Sequence, residues 1–262
     1  MRGEVRREAL LQYLRVHENA TVDELVEQMR VSRMTVHRDL DRLAEQRLVR
    51  KVRGGATLTT SILFEGDYAY RERQNRAEKA ALAQRMAELV EPGMAVVLDD
   101  SSTAASIVPF LEHKRPLTVI TNGLKVIESF RRADEITLIA LGGRYDPVSN
   151  AFFGLVCEAA VARLRADLAI FSTSAVRGTS AYLHDPDIIR AKLAMKAAAE
   201  RSVIAFDRSK VGRSALNLFA PLREFDSVLV TEGLPPEVRQ ALQGDGVRLE
   251  LVTPGPGPGH GH

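Results

Sequence analysis

Apolar residues in the first sixty positions recur at three- and four-residue intervals. Val5, Ala9, Leu10, Tyr13 and Leu14 form one stripe and predict a helix over residues 4–17. Val22, Leu25, Val26 and Met29 form a second stripe. Thr21, with Glu24 three positions on, has the spacing of a capping box and predicts where that helix begins. Arg30 and Val31 leave room only for a tight turn. Ser32 then caps a third helix, on which Met34, Leu40 and Leu43 are expected to face inward. Two short helices joined so closely predict a helix-turn-helix, whose second helix can enter a DNA major groove. Residues 48–53 alternate as a short strand does, and Gly54 and Gly55 predict a tight turn. This hairpin reads as the wing of a winged helix.

After position 56 the pattern changes. Residues 57–68 read as a connector with a polar start, and Phe64 is expected to anchor it to one domain. A helix rich in Ala, Arg and Glu is predicted over 70–90, stopping at Pro92 and Gly93. Short apolar runs at 95–98, 117–120, 136–141, 168–171, 202–206 and 227–230 then alternate with helical segments at 104–112, 124–132, 154–164, 188–200 and 236–243. Runs without polar alternation suit strands buried on both faces of a mostly parallel sheet. The fold class is therefore α/β: an N-terminal winged helix-turn-helix domain plus a C-terminal doubly wound, mostly parallel α/β domain. The expected boundaries are 1–58 for the DNA-binding domain, 59–74 for a linker, 75–253 for an effector-binding domain and 254–262 for a disordered Pro/Gly/His tail. The histidines of the tail read either as weak metal ligands or as solvated side chains, and the second reading is preferred.

Composition narrows the function. With 262 residues, 45% hydrophobic and 27% charged, the chain can bury a sizeable core and is expected to form two domains. Its net charge is only +2, so any DNA affinity must be local. Residues 28–57 hold 8 Lys+Arg against 3 Asp+Glu, a local excess of five positive charges. The single cysteine, Cys157, excludes an internal disulfide and fits a reducing cytoplasm. No apolar run reaches 18 residues, so no membrane span is expected, and the first residues lack the apolar core of a secretion signal.

Candidate DNA contacts follow from the head. Ser32, Arg33, Thr35, His37 and Arg38 lie near the N-terminal end of the second helix, where the positive helix end favours phosphate. Arg42 shares a face with Arg38. Arg50, Lys51 and Arg53 of the wing are available to the DNA backbone, and Thr21 and Met34 complete the set. The plainer alternative is a solvated basic helix. Cap, turn, basic helix and basic hairpin in succession favour DNA.

In open α/β sheets ligands bind beyond the C-terminal strand ends. Asp99, Asp100, Ser101, Ser102 and Thr103 follow one predicted strand, Thr121 and Asn122 a second, Gly142, Gly143 and Arg144 a third, and Asp207 to Lys210 a fourth. Each piece alone reads more simply as a cap or a turn. Together they point to a small, anionic, hydroxylated ligand. Ser101, Ser102 and Thr103 would hold a phosphate, and Asp99 and Asn122 would bind hydroxyls. Arg144 and Lys210 would balance the charge.

The run from Arg7 to Ala56, above all SRMTVHRDLDRLAEQ followed by LVRKVRGGA, resembles the DNA-binding domain of DeoR-type bacterial transcription regulators. His37 stands where that family commonly has arginine, and Arg47 where it commonly has glycine. Residues from about 75 to 212 resemble the effector domain of the same family, through Asn75, Glu78 and Lys79, LDDSST (98–103), ITNG (120–123), LGGR (141–144) and FDRSKVG (206–212). Ser101 replaces a usual glycine, and Ser174-Ala175-Val176 a stretch that usually contains one. The resemblance implies an effector domain similar in fold to ribose-5-phosphate isomerase that binds phosphorylated sugars or related intermediates. It also implies repression released by ligand.

Three readings remain: a regulator whose operator affinity is set by a sugar-phosphate-like effector, a sugar-phosphate isomerase carrying a DNA-binding arm, and a second domain that only oligomerises. In the second, Asp99, Asp100 and Lys210 would supply acid–base groups. Binding without chemistry is the preferred reading. It implies no catalytic residue, no cofactor and no metal. The expected partners are an operator in double-stranded DNA, a phosphorylated metabolite and further copies of the chain, as a homodimer or homotetramer.

Overall fold

The computed structural model describes residues 3–17, 19–46, 48–58 and 67–255. Arg47, Phe64 and residues 256–262, on which expectations were placed, lie outside these. The chain divides into two compact units, Met1–Gly66 and Asp67–His262.

The first unit runs α1 (Gly3–His17), β1 (Asn19–Thr21), α2 (Val22–Met29), α3 (Arg33–Glu45), β2 (Val49–Val52) and β3 (Gly55–Leu58). Thr21 and Glu24 form the capping box: the Thr21 hydroxyl accepts from the Glu24 N–H at 3.2 Å, and Glu24 accepts from the Thr21 N–H at 2.7 Å. Arg30, with φ of 52°, makes the left-handed turn into α3, and Ser32 caps that helix through the Thr35 N–H. Val22, Leu25 and Met29 are buried, as are Val36, Leu40 and Leu43. Two expected inward residues are corrected. Met34 is 71% exposed, because the inner face of α3 follows 36, 40 and 43. Val5 also faces solvent, and Leu11 joins Leu10 and Leu14 in the core instead.

The three strands form an antiparallel sheet in the order β1-β3-β2. Only Gly54 of the glycine pair serves the turn, with φ of 79°. Gly55 lies opposite Thr21 in the β1–β3 pair, where a methyl group would collide with the Ala20 carbonyl and sit 2.9 Å from the Thr21 Cα.

The second unit opens with α4 (Tyr68–Arg73) and α5 (Arg76–Glu88), where one helix over 70–90 is predicted. The break falls at Asn75, whose φ is 50°, a conformation asparagine tolerates. There follow β4 (Ala95–Leu98), α6 (Ser102–Ala105), β5 (Leu117–Thr121), α7 (Leu124–Phe130), β6 (Ile136–Ala140), β7 (Arg144–Asp146), β8 (Ala151–Phe153), α8 (Leu155–Val161), β9 (Ala166–Phe171), β10 (Ala175–Arg177) and β11 (Ser180–Leu183). The unit ends with α9 (Pro186–Ala197), β12 (Ala199–Phe206), β13 (Asn217–Pro221), β14 (Ser227–Thr231), α10 (Pro236–Gly244) and β15 (Leu249–Val252). The helix expected over 104–112 is instead the single turn α6 followed by two 3₁₀ turns, because Pro109 has no N–H to continue an α ladder.

Seven strands form one parallel sheet in the order β15-β14-β12-β9-β4-β5-β6. Alternate residues serve two cores. Val96, Leu98, Leu168 and Ile170 pack with Leu82, Met86 and Phe130 of α5 and α7. Val97, Ala169 and Phe171 pack with Cys157, Ala191, Met195 and Leu242 of α8, α9 and α10. Both faces are covered, which is why the strands read as unbroken apolar runs. From β4 the chain winds outward through β5 to β6, then returns to β9 and winds the other way. The switch point lies between β4 and β9.

Candidate functional site

In the head, α3 presents Ser32, Arg33, Met34, His37, Arg38 and Arg42 to solvent, with Thr35 half-buried. Two cations are already engaged: Arg33 pairs with Asp23, and Lys51 Nζ lies 2.5 Å from Asp41 Oδ1. Arg50 and Arg53 are exposed on the wing. The wing is held to α2 by the Val22 N–H, which donates to the Gly54 carbonyl at 2.9 Å. Asp39 points the other way. It is 2% exposed, with Oδ2 at 2.5 Å from Arg6 Nε and Oδ1 at 3.5 Å from Arg7. It is thus a strut between α1 and α3, and it leaves the outer face of α3 basic.

In the body, the β4–β9 switch point is polar and closed. The Asp99 Oδ1 accepts from the Ser101 N–H at 2.9 Å and from the Ser101 hydroxyl at 2.5 Å. Its Oδ2 accepts from the Ser172 N–H at 2.9 Å and from Lys192 Nζ at 2.5 Å. All four partners belong to the protein, so Asp99 organises the strand ends. Ser101 is likewise engaged, capping Ala104 N–H at 3.0 Å, while Ser102 and Thr103 are buried beside it. Thr121 accepts from the Gly123 N–H, and a methyl group on Gly123 would sit 3.5 Å from the Asp100 Cα, so the ends of β4 and β5 touch.

Three buried polar atoms here have no hydrogen-bond partner: the Tyr68 hydroxyl, Asp100 Oδ1 and Asn122 Oδ1. Asp100 Oδ1 lies 3.3 Å from Lys192 Nζ. Burial, together with the charge on Asp99, pushes the Asp100 carboxyl above the usual range against the pull of Lys192. Burial opposes the charge on Lys192, but Asp100 and Asp99 outweigh it and hold the ammonium protonated. Native structures rarely leave such atoms unpaired. Asp100 and Asn122 follow neighbouring strands, and Tyr68 lies on α4, which packs on α6 just beyond Asp100.

A second cluster adjoins it at the end of β12. Asn75 donates to Asp207 Oδ1 at 2.8 Å and to the Ser209 hydroxyl at 3.1 Å. Lys79 is 6% exposed, and its ammonium donates to the Arg71 carbonyl. Burial, then the nearby charge of Lys210, brings its pKa down to about 8. Lys79, Lys210 and Arg71 stand here beside Asp207 and Glu72.

Gly143 and Arg144, after β6, meet partners within the protein. Gly143, with φ of 138°, admits the Phe153 carbonyl, which would stand 2.5 Å from a Cβ there. Arg144 is exposed and reaches Asp187 of α9 at 2.7 Å. Reading the sequence for strand ends passed over Lys192, Tyr68 and Arg71, and met Lys79 only within a motif. A signal for Lys192 existed: Ile188, Ala191, Lys192 and Met195 share one helical stripe, so a lysine sits in an apolar row.

Residues 74–232 match the DeoR C terminal sensor domain, and residues 6–62 match the DeoR-like helix-turn-helix domain. The chain belongs to the DeoR family of transcriptional regulators. A curated relative from Escherichia coli K12, the uncharacterized HTH-type transcriptional regulator YgbI, is 30% identical over 90% of this chain and 93% of its own. The glycerol-3-phosphate regulon repressor of the same organism is 26% identical over 96% of this chain and 100% of its own. Among solved structures, a ribose 5-phosphate isomerase A from Methanocaldococcus jannaschii aligns at 20% identity and a TM-score of 0.39, over 53% of this chain and 56% of that one. Among the described residues no helix is long and apolar enough to cross a membrane.

Proposed function

We propose that this regulator is a repressor of sugar or related carbon metabolism. A phosphorylated, hydroxylated metabolite bound at the β4–β9 switch point sets its affinity for operator DNA. The observation that carries the reading is the pair of buried atoms without a hydrogen-bond partner, the Tyr68 hydroxyl and Asn122 Oδ1, together with Asp100, whose Oδ1 is held only by its ion pair with Lys192. Two acceptors and a donor match a polyol, and Lys79 and Lys210 at the adjoining edge match a phosphate dianion. The relative that represses a glycerol-3-phosphate regulon is named for a molecule of this chemistry.

Binding is proposed without turnover. Asp99, the best-placed carboxylate for a base, has both oxygens occupied by protein donors. The protein acts where the chromosome is, in the cytoplasm, and as a dimer or tetramer, since one winged helix reads few base pairs and paired heads read repeated half-sites. Linkage then requires the metabolite to prefer one arrangement of the chain over another.

The test is a thermal-shift panel of sugar phosphates on the full chain, with Lys210→Ala beside it and turnover assayed in parallel. Stabilisation by one chemical class, diminished in Lys210→Ala and without turnover, is the expected result. Conversion of a sugar phosphate, or no shift with any of the panel, would overturn the reading.

A further inference from the structure

Helix α4 is the first described element after residues 59–66, where the chain enters the body. Six residues make too short a helix to persist alone, so its place is set by its contacts. Asp67 caps it by accepting from the Tyr70 N–H at 2.7 Å. The Tyr68 N–H donates to the Val148 carbonyl at 2.8 Å, and Glu72 pairs with Lys125 of α7 at 3.3 Å. The Arg71 carbonyl accepts from Lys79, and α4 packs on α6, directly after the Asp99–Ser101 turn. At its far end Asn75 breaks the helix and crosses to Asp207 and Ser209. These ties lead to α5, α6, α7, the β7–β8 connection and the end of β12.

Tyr68 departs from this pattern. The residue is 6% exposed, yet its hydroxyl has no hydrogen-bond partner. Its ring lies 5.7 Å from the Arg71 guanidinium. Burial, with Glu72 and the more distant Asp100 and Asp99, holds the phenol above its ordinary range, so it remains a donor. Asn122 Oδ1, also without a hydrogen-bond partner, and Asp100 Oδ1, 3.3 Å from Lys192 Nζ, are acceptors on neighbouring strand ends.

We infer that Tyr68 is an effector-binding residue, its hydroxyl bonding to the ligand beside Asp100 and Asn122, and that α4 passes occupancy of the site to the segment that leads to the DNA-binding unit. This rests on the effector reading above. A ligand that satisfies the Tyr68 hydroxyl binds the docked form of α4 better than any undocked one. It therefore shifts that equilibrium by its differential affinity.

The experiment uses the full chain and a duplex that it selects from a random pool. Glycerol 3-phosphate and ribose 5-phosphate are the probes. Amide hydrogen exchange is followed at residues 67–75, and DNA affinity by anisotropy. A bound probe is expected to slow exchange in that segment at least tenfold and to alter DNA affinity. Tyr68→Phe is expected to bind the probe three- to tenfold more weakly and, at saturation, to keep less than a third of that alteration. A probe that binds without protecting residues 67–75, or full coupling in saturated Tyr68→Phe, overturns the inference and leaves the effector reading standing. If neither probe binds, nor any of a wider panel of sugar phosphates, the effector reading falls. The inference falls with it, whereas a probe that binds without protecting residues 67–75 overturns the inference alone.

Discussion

Lys192 Nζ lies 2.5 Å from Asp99 Oδ2, 93 positions away in the chain, and neither side chain is more than 2% exposed. A charge buried so deeply is tolerated only because it is paired, and here one ammonium serves two carboxylates, Asp99 and Asp100. The pair pins α9 to the point where the sheet reverses its winding.

Lys192→Ala should therefore leave two carboxylates buried without a cation and destabilise the body by about 3–5 kcal/mol. Urea unfolding followed by circular dichroism reads this directly. Adding Asp99→Asn should restore part of the loss. A midpoint unchanged in Lys192→Ala would mean that the pair contributes nothing to the fold.

Asp39 and Arg38 are adjacent in sequence and opposite in role. Asp39→Ala should weaken the head by about 1–3 kcal/mol, since Arg6 and Arg7 lose a buried partner. Arg38→Ala, on the exposed face, should leave the melting temperature within a degree or two while weakening DNA binding and relaxing base preference. Thermal melts and anisotropy on both variants separate the two roles.

The two glycines of the wing should not tolerate the same change. Gly54→Ala strains a left-handed residue and costs about 1 kcal/mol. Gly55→Ala drives a methyl group into the Ala20 carbonyl, so β1 and β3 must part. DNA binding should survive the first and be lost in the second, although both positions lie at one turn.

Within the wing, Arg50→Ala should reduce the slope of log affinity against log salt by roughly 1. Lys51→Ala should reduce it less, because Lys51 must first give up Asp41, 2.5 Å away. Equal slopes for the two variants would contradict the observed pairing.

Lys79 gives a pH signature. Its pKa in the fold is brought down to about 8 from the ordinary 10.5. Between those values the unfolded chain binds the extra proton, so stability rises with pH across that window and is flat below it. The gain is on the order of 3 kcal/mol and should vanish in Lys79→Met. An anion bound beside Lys79 favours its charged form, so phosphate-ester affinity should fall as pH rises through about 8.

Much of this architecture is legible in residue order because it depends on neighbours in the chain. The capping box at Thr21 and Glu24, the Ser32 cap and the buried parallel strands all arise from patterns a few residues long. Strand β15 escapes such reading because Glu250 interrupts its run, and β7, β10 and β11 because three or four residues are a strand only beside their partners. Among the polar residues gathered beyond the strands, Ser101, Ser102, Thr103 and Asn122 could be found from strand ends, whereas the orphaned hydroxyl of Tyr68 could not.

Sequence alone determined the winged helix-turn-helix, the α/β sheet and the strand ends where polar residues gather, since periodicity and caps act over one or two turns. Tertiary structure decided which polar groups neutralise one another. Asp99 is consumed by Ser101, Ser172 and Lys192, Arg144 by Asp187, and Lys51 by Asp41. Pairing depends on distances through space, and no local pattern carries those.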